Sequence, residues 1–318
     1  MIGPLVAMAI LKFRGIDLPS PRGGRETGQI IIASALGLYF TPIVAREVLA
    51  SWHLLVAAAV FATVLAYGGA FFLWRFAGVD RTTAFFASVP GGAAEMSNLG
   101  ERYGAKTDRI AVAQSLRIVF VVVLVPVAMT VLGTHGSDVF LPTMQSVDAG
   151  GLALLLGLGT ATGWLLRLLR IPNPWFLGAL ALAITLTVLE VHLSSMPALF
   201  SNVAQLLIGC ALGSRFDRQF LRSSPRFVVV VSISILGAIC ISALFALILA
   251  KLGGLSVPTM VLATAPGGVA EMCITAKVLQ LGVPLVTAAQ VTRVIILVTT
   301  TAPLFRFVRH VAGRIGLR

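Results

Sequence analysis

A seven-residue segment, Pro90-Gly91-Gly92-Ala93-Ala94-Glu95-Met96, returns 176 positions later as Pro266-Gly267-Gly268-Val269-Ala270-Glu271-Met272, with six identities in seven. Without a gap, the same offset pairs Gln114 with Gln290, Arg117 with Arg293, Gln29 with Gln205, Phe40 with Phe216, and Ala35-Leu36-Gly37 with Ala211-Leu212-Gly213. Apolar residues align by chance in a chain like this one, but its scarce polar residues do not. The sequence is therefore an internal duplication, with a first repeat over residues 1–142 and a second over 143–318. Any fold must be assembled from two copies of one unit.

That unit is built for lipid. Hydrophobic residues make up 58% of the 318 positions and charged residues only 11%, whereas a globular surface needs about a quarter charged. The apolar runs of the second repeat are 149–166, 174–191, 199–214, 227–250 and 284–305; those of the first are 1–11, 28–45, 52–74 and 107–132. Nothing in the first repeat matches 149–166, so its leading helix is missing. At about 20 residues per crossing the expectation is an all-α polytopic membrane protein of about nine transmembrane helices. A separate soluble catalytic or DNA-binding module is excluded. The net charge of +12 does not argue for nucleic acid, because the basic residues lie in short loops rather than on one water-facing surface. The start is apolar and reaches its first cation at Lys12, the reverse of a signal peptide's order, so no cleaved targeting segment is expected.

Each Pro-Gly-Gly must interrupt a helix: proline removes a backbone donor, and glycine permits angles that other residues resist. The flanking stretches, within 80–105 and 256–281, are too short to span, so each segment reads as a re-entrant hairpin of two half-helices. With only the long runs crossing, 19 of the 24 Lys and Arg fall on one face, Arg22, Lys106 and Arg222 among them. The other face receives Arg46, Lys251 and Lys277, while Arg117 and Arg293 lie inside crossings. Positive charge marks the cytoplasmic side. The threading therefore places the chain in the bacterial inner membrane, N-terminus outside and C-terminus cytoplasmic, with the two repeats inverted, an arrangement common in secondary transporters.

The doubled P-G-G-x-A-E-M, followed nineteen residues later by Q-x-x-R, resembles the AbrB family of duplicated bacterial membrane proteins. The resemblance covers nearly the whole chain apart from the missing first helix. Its members carry several labels, among them ammonia monooxygenase, regulator of gene expression and AbrB-type transporter, so the resemblance implies the fold more firmly than an activity. The small DNA-binding transition-state regulator of similar name is a different kind of protein.

The candidate site is therefore argued from the residues. Glu95 and Glu271 fall in the first turn after their breaks, where unpaired N–H groups stabilise an anion; they either cap their half-helices or bind and titrate near the midplane. Arg117 and Arg293 lie about ten residues, roughly 15 Å, into their helices, beyond the reach of snorkelling. Gln114 and Gln290, three residues earlier, share their helix face. Each arginine either pairs with a glutamate, locking helix to hairpin, or binds a carboxylate or other anion with its neighbouring glutamine. Gln29 and Gln205 suit interhelical hydrogen bonds. Gly159-Thr160-Ala161-Thr162-Gly163 fits close helix packing or a homo-oligomer face. Tyr39, Trp52, Trp74, Trp164 and Trp175 fall near helix ends, as interfacial anchors do, and Cys210, Cys240 and Cys273 are expected to be buried. His53, His135, His192 and His310 are isolated, and no P-loop or G-x-S-x-G occurs, so no metal, no cofactor and no enzyme activity are expected. The reading is secondary transport of a small solute, with an organic anion and proton coupling as its specific form. The alternative is a membrane sensor that regulates gene expression through a partner protein.

Overall fold

The computed structural model describes residues 2–16, 21–91, 93–134, 136, 146–214 and 225–314. Every regular element among them is a helix. The first repeat supplies α1 (Ile2–Phe13), α2 (Gly24–Gly37), α3 (Pro42–Ala50), α4 (Trp52–Phe76), α5 (Arg81–Ser88), α6 (Ala93–Glu101) and α7 (Thr107–Val131). The second supplies α8 (Ala149–Leu168), α9 (Pro174–Val188), α10 (Ala198–Gly213), α11 (Pro225–Gly253), α12 (Val257–Thr264), α13 (Val269–Leu279) and α14 (Val283–Arg314). The duplication extends to the helix boundaries. The half-helices α5 and α12 start and stop at positions 176 apart, and so do the starts of α6 and α13 and of α7 and α14.

Five helices, α4, α7, α8, α11 and α14, are long and apolar enough to cross a membrane, or six with one bent pair. The shorter apolar helices α1, α9 and α10 have 12, 15 and 16 residues, about 18–24 Å, against a hydrocarbon core of about 30 Å.

The bent pair corrects one expectation, since the run 28–45 is not a straight crossing. It stops at Gly37, and α3 leaves at 91° to α2. The cause is local: Pro42 is the first residue of α3, and Thr41 before it is extended and accepts the Val44 N–H on Oγ1 at 3.4 Å. A residue before proline is pushed out of the helical region, and proline at N1 starts a new helix. Ile43 and Leu49 on α3 are each 69% exposed.

Close packing rests on small residues, as it must where lipid offers no competing hydrophobic drive. A Cβ on Gly37 would stand 2.4 Å from Ala183 of α9, and one on the equivalent Gly213 would stand 2.6 Å from Met8 of α1. Gly163 is used the same way: a Cβ on Gly178 of α9 would lie 2.6 Å from its backbone nitrogen. The glycine-rich run of α8 thus packs within the chain. Cys273 is buried, but Cys210 is half-buried and Cys240 is exposed on α11, where an apolar thiol needs no burial in a lipid-facing position. One hydrophobic cluster is centred on α12, α13 and the middle of α2; a second gathers Phe85, Phe86, Val89 and Met96 of the first hairpin with Phe227, Val231 and Phe305.

Candidate functional site

A helix that stops inside the protein leaves its last carbonyls without donors, and the glutamines and arginines supply them. The Gln114 amide, Nε2, donates to the carbonyls of Phe86 at 2.9 Å, Ala87 at 3.4 Å and Val89 at 2.8 Å. Arg117 donates from its two terminal nitrogens to Val89 at 3.2 Å and Gly91 at 3.1 Å. The second repeat repeats each bond. Gln290 reaches Leu262 at 2.8 Å, and Ala263 and Ala265 at 3.3 Å, and Arg293 reaches Ala265 and Gly267, both at 2.5 Å. All ten bonds correspond pairwise, donor and acceptor alike, at the offset of the duplication.

Of the two readings of the arginines, the Arg–Glu pair does not form among the described residues. The arginines do lock helix to hairpin, but through backbone carbonyls, and among the described residues neither lies within ion-pair distance of a glutamate. The buried Nε atoms of Arg117 and Arg293 and Oε1 atoms of Gln114 and Gln290 have no partner among the described residues.

The glutamates occupy their expected first turns but differ in surroundings. Glu95, half-buried, accepts the backbone N–H of Asn173 on Oε1 at 3.2 Å; Asn173 holds a left-handed conformation, φ 52°, at the start of α9. Glu271 is only 7% exposed. Its carboxylate folds back over the break, and a Cβ on Gly268 would collide with it. No hydrogen bond or ion pair reaches that carboxylate among the described residues.

The breaks share one cavity of about 910 Å³, walled by Pro90 and Gly91, by Gly267 and Gly268, and by α2, α7, α8 and α14. Glu95, Arg117, Glu271 and Arg293 all line it, whereas Gln114 and Gln290 stand behind it. Pro266 lines a small second space of about 50 Å³ with Pro90 and Arg117; Gly92 lies outside the described residues. The lining of the large cavity includes the exposed residues Gly23, Thr27, Thr160, Arg167, Phe200 and Val298. Gln29, Asn173 and Trp175 line it too. The sequence reading gave Gln29 only an interhelical role and left Asn173 out. Gln29 is 6% exposed, with no hydrogen bond to its amide among the described residues. Among the described residues no three His, Cys, Asp or Glu side chains cluster as metal ligands would.

Paired half-helices around a shared cavity, among helices long and apolar enough to cross a membrane, are the features of a helical membrane protein. The chain belongs to the AbrB family: residues 1–309 match the family described as "Transition state regulatory protein AbrB". It is 27% identical over 334 residues to "Uncharacterized protein YhjN" of Bacillus subtilis strain 168, covering 98% of this chain and 85% of that one. It is 26% identical over 325 residues to "Putative regulator AbrB" of Escherichia coli strain K12, covering 99% and 91%.

Proposed function

We propose that the chain is a secondary transporter of a small solute, not an enzyme, and that its two repeats sit in the bacterial inner membrane in opposite orientations, with the N-terminus outside. Its nine crossings are the five long helices, the bent α2–α3 run and the shorter α1, α9 and α10. The observation that carries this reading is the shared cavity. Each repeat contributes to it a helix break, a glutamate and an arginine, as expected of a midplane site between inverted repeats with discontinuous helices. Irregular backbone at membrane depth is tolerated where it lines such a cavity.

Among the lining residues are Arg25 and Arg167, which the proposed threading puts on the cytoplasmic face. Glu95, half-buried, and Glu271, nearly buried, both line this cavity, and proton coupling through one of them is the specific form of the proposal. A second reading, a membrane sensor, is favoured by the regulator names of the family and of the Escherichia coli relative. A sensor would bind solute in the same cavity and pass the change to a partner.

Proteoliposome uptake separates the two. A transporter accumulates labelled solute against a gradient when an ion gradient is imposed, while a sensor binds without accumulation. Cysteine labelling on a background lacking the native cysteines places positions near Arg22 and Lys106 inside and positions near Arg46 and Lys277 outside. Finding residues 78 and 106 on opposite faces overturns the hairpin and the inversion with it.

A further inference from the structure

The charges lining the cavity do not cancel. Arg25, Arg167, Glu26 and the half-buried Glu95 are the less buried of them, two of each sign. The buried ones are Arg117, Arg293 and Glu271, at 9%, 3% and 7% exposed. Arg117 lies within electrostatic reach of both others. The lining therefore carries one positive charge in excess, four arginines against three glutamates, and the excess falls among the buried side chains, where an uncompensated charge is most costly. The guanidinium nitrogens bonded to Val89, Gly91, Ala265 and Gly267 fix both groups in place without neutralising them.

Two further observations give the missing counter-charge a shape. Gln29 offers a nearly buried amide that is without a hydrogen bond among the described residues, and the start of α13, whose N-terminus carries partial positive charge, lines the same wall. The remaining walls are apolar: Ile30, Ile118, Leu156, Trp175, Val294 and Val298. A carboxylate would meet the arginines and the Gln29 amide while an alkyl body meets the apolar wall. A dianion would overcharge the site, and a bare inorganic ion would leave the apolar wall uncovered.

We infer that the cavity takes a small monocarboxylate with an apolar body. The inference rests on the transport reading for the cavity's purpose, but its chemistry is tested apart from it. Trp175 is a reporter already in place. The purified full chain in lipid nanodiscs is titrated with 3-methylbutanoate while tryptophan fluorescence is followed. The neutral isostere 3-methylbutanamide, the cation 3-methylbutylamine and chloride are run beside it. The carboxylate gives a saturable change that is lost in Trp175→Phe, and the amide binds at least about tenfold more weakly. Gln29→Leu weakens the carboxylate by about tenfold; should that variant not fold, the isostere comparison on the unaltered chain decides alone. Equal binding of amide or amine, binding of chloride as tight as that of the carboxylate, or no saturable response to the carboxylate overturns the inference. Uptake of an amine or a neutral solute with the carboxylate ignored would leave transport standing and refute the anion. Charge-selective carboxylate binding with no uptake of any solute would do the reverse.

Discussion

The two Pro-Gly-Gly hairpins share their breaks, their glutamates and all five locking bonds, yet the molecule surrounds them differently. In the second, every residue of α13 from Val269 to Ala276 is buried; in the first, Glu95 is half-buried and Asn98 exposed on α6. Ser242 of α11 donates to the Thr264 carbonyl at 2.6 Å, and the Thr264 hydroxyl returns a bond to Ser242 at 3.2 Å, tying the second hairpin to its neighbour. The corresponding first-repeat residues are Ala66 and Ser88, and the buried Ser88 hydroxyl has no partner among the described residues. Bonds made between a hairpin and the helix that follows it are copied with the sequence. Burial is not, because it depends on which side of the hairpin the cavity opens.

The widest gap expected between the hairpins is in reactivity. On a cysteine-free background, Glu95→Cys reacts with a water-soluble thiol reagent, and Glu271→Cys reacts at least about tenfold more slowly, since reaching it requires local opening. Similar rates would erase the difference in burial between the two hairpins. Stability comes next. Arg293→Ala leaves the Gly267 carbonyl without its donor inside the buried hairpin and should cost about 2–3 kcal/mol, while Arg117→Ala, which does the same to Gly91 at the more open hairpin, should cost about 1–2 kcal/mol. Melting curves of the purified protein give the order, and a reversed order contradicts it. Adding Glu271→Gln to Arg293→Ala should not restore stability, because the Gly267 carbonyl stays unpaired.

Gln114→Leu and Gln290→Leu serve as the matched control. Both amides are fully buried and make the same three contacts, so each change should cost about 1–3 kcal/mol, with the two values close to each other. A difference as large as that between the arginines would mean the locks themselves differ. The smallest contrast is in the hydroxyls: Ser242→Ala should cost about 1 kcal/mol, and Ser88→Ala close to nothing. A loss in the Ser88 variant matching that at Ser242 would mean the first hairpin is tied down as well.

Much of this was legible before any coordinates. Gln290 and Arg293 are rare polar residues in an apolar run, and their match to Gln114 and Arg117 fixed the duplication, the breaks and the inward helix face together. That the arginines would bind main-chain carbonyls was not read, for a physical reason: Glu95 and Glu271 are conspicuous as letters, whereas the carbonyls of residues 89, 91, 265 and 267 carry no letter at all. The signal was nonetheless there, since a broken helix always leaves orphan acceptors and an arginine is purely a donor. The bend at Gly37 had a sequence mark too, in Thr41-Pro42, but the apolar run continued across it and hid the new helix start. Gln29 in the cavity wall had no such mark; its place depends on which helices the tertiary fold brings beside the breaks.

The choice of main-chain acceptors also bears on how the two halves can drift apart. A carbonyl comes with any side chain, so the acceptor positions are free to change: Phe86 answers to Leu262 and Val89 to Ala265, and the bonds persist across both pairs. The donors have no such freedom, because no other side chain offers the forked geometry of arginine. After a gene duplication, one hairpin can therefore be resurfaced residue by residue, to suit a different neighbour or a different side of the membrane, while its break stays anchored. Four side chains, Gln114, Arg117, Gln290 and Arg293, hold the architecture constant and leave the rest of both hairpins open to specialisation.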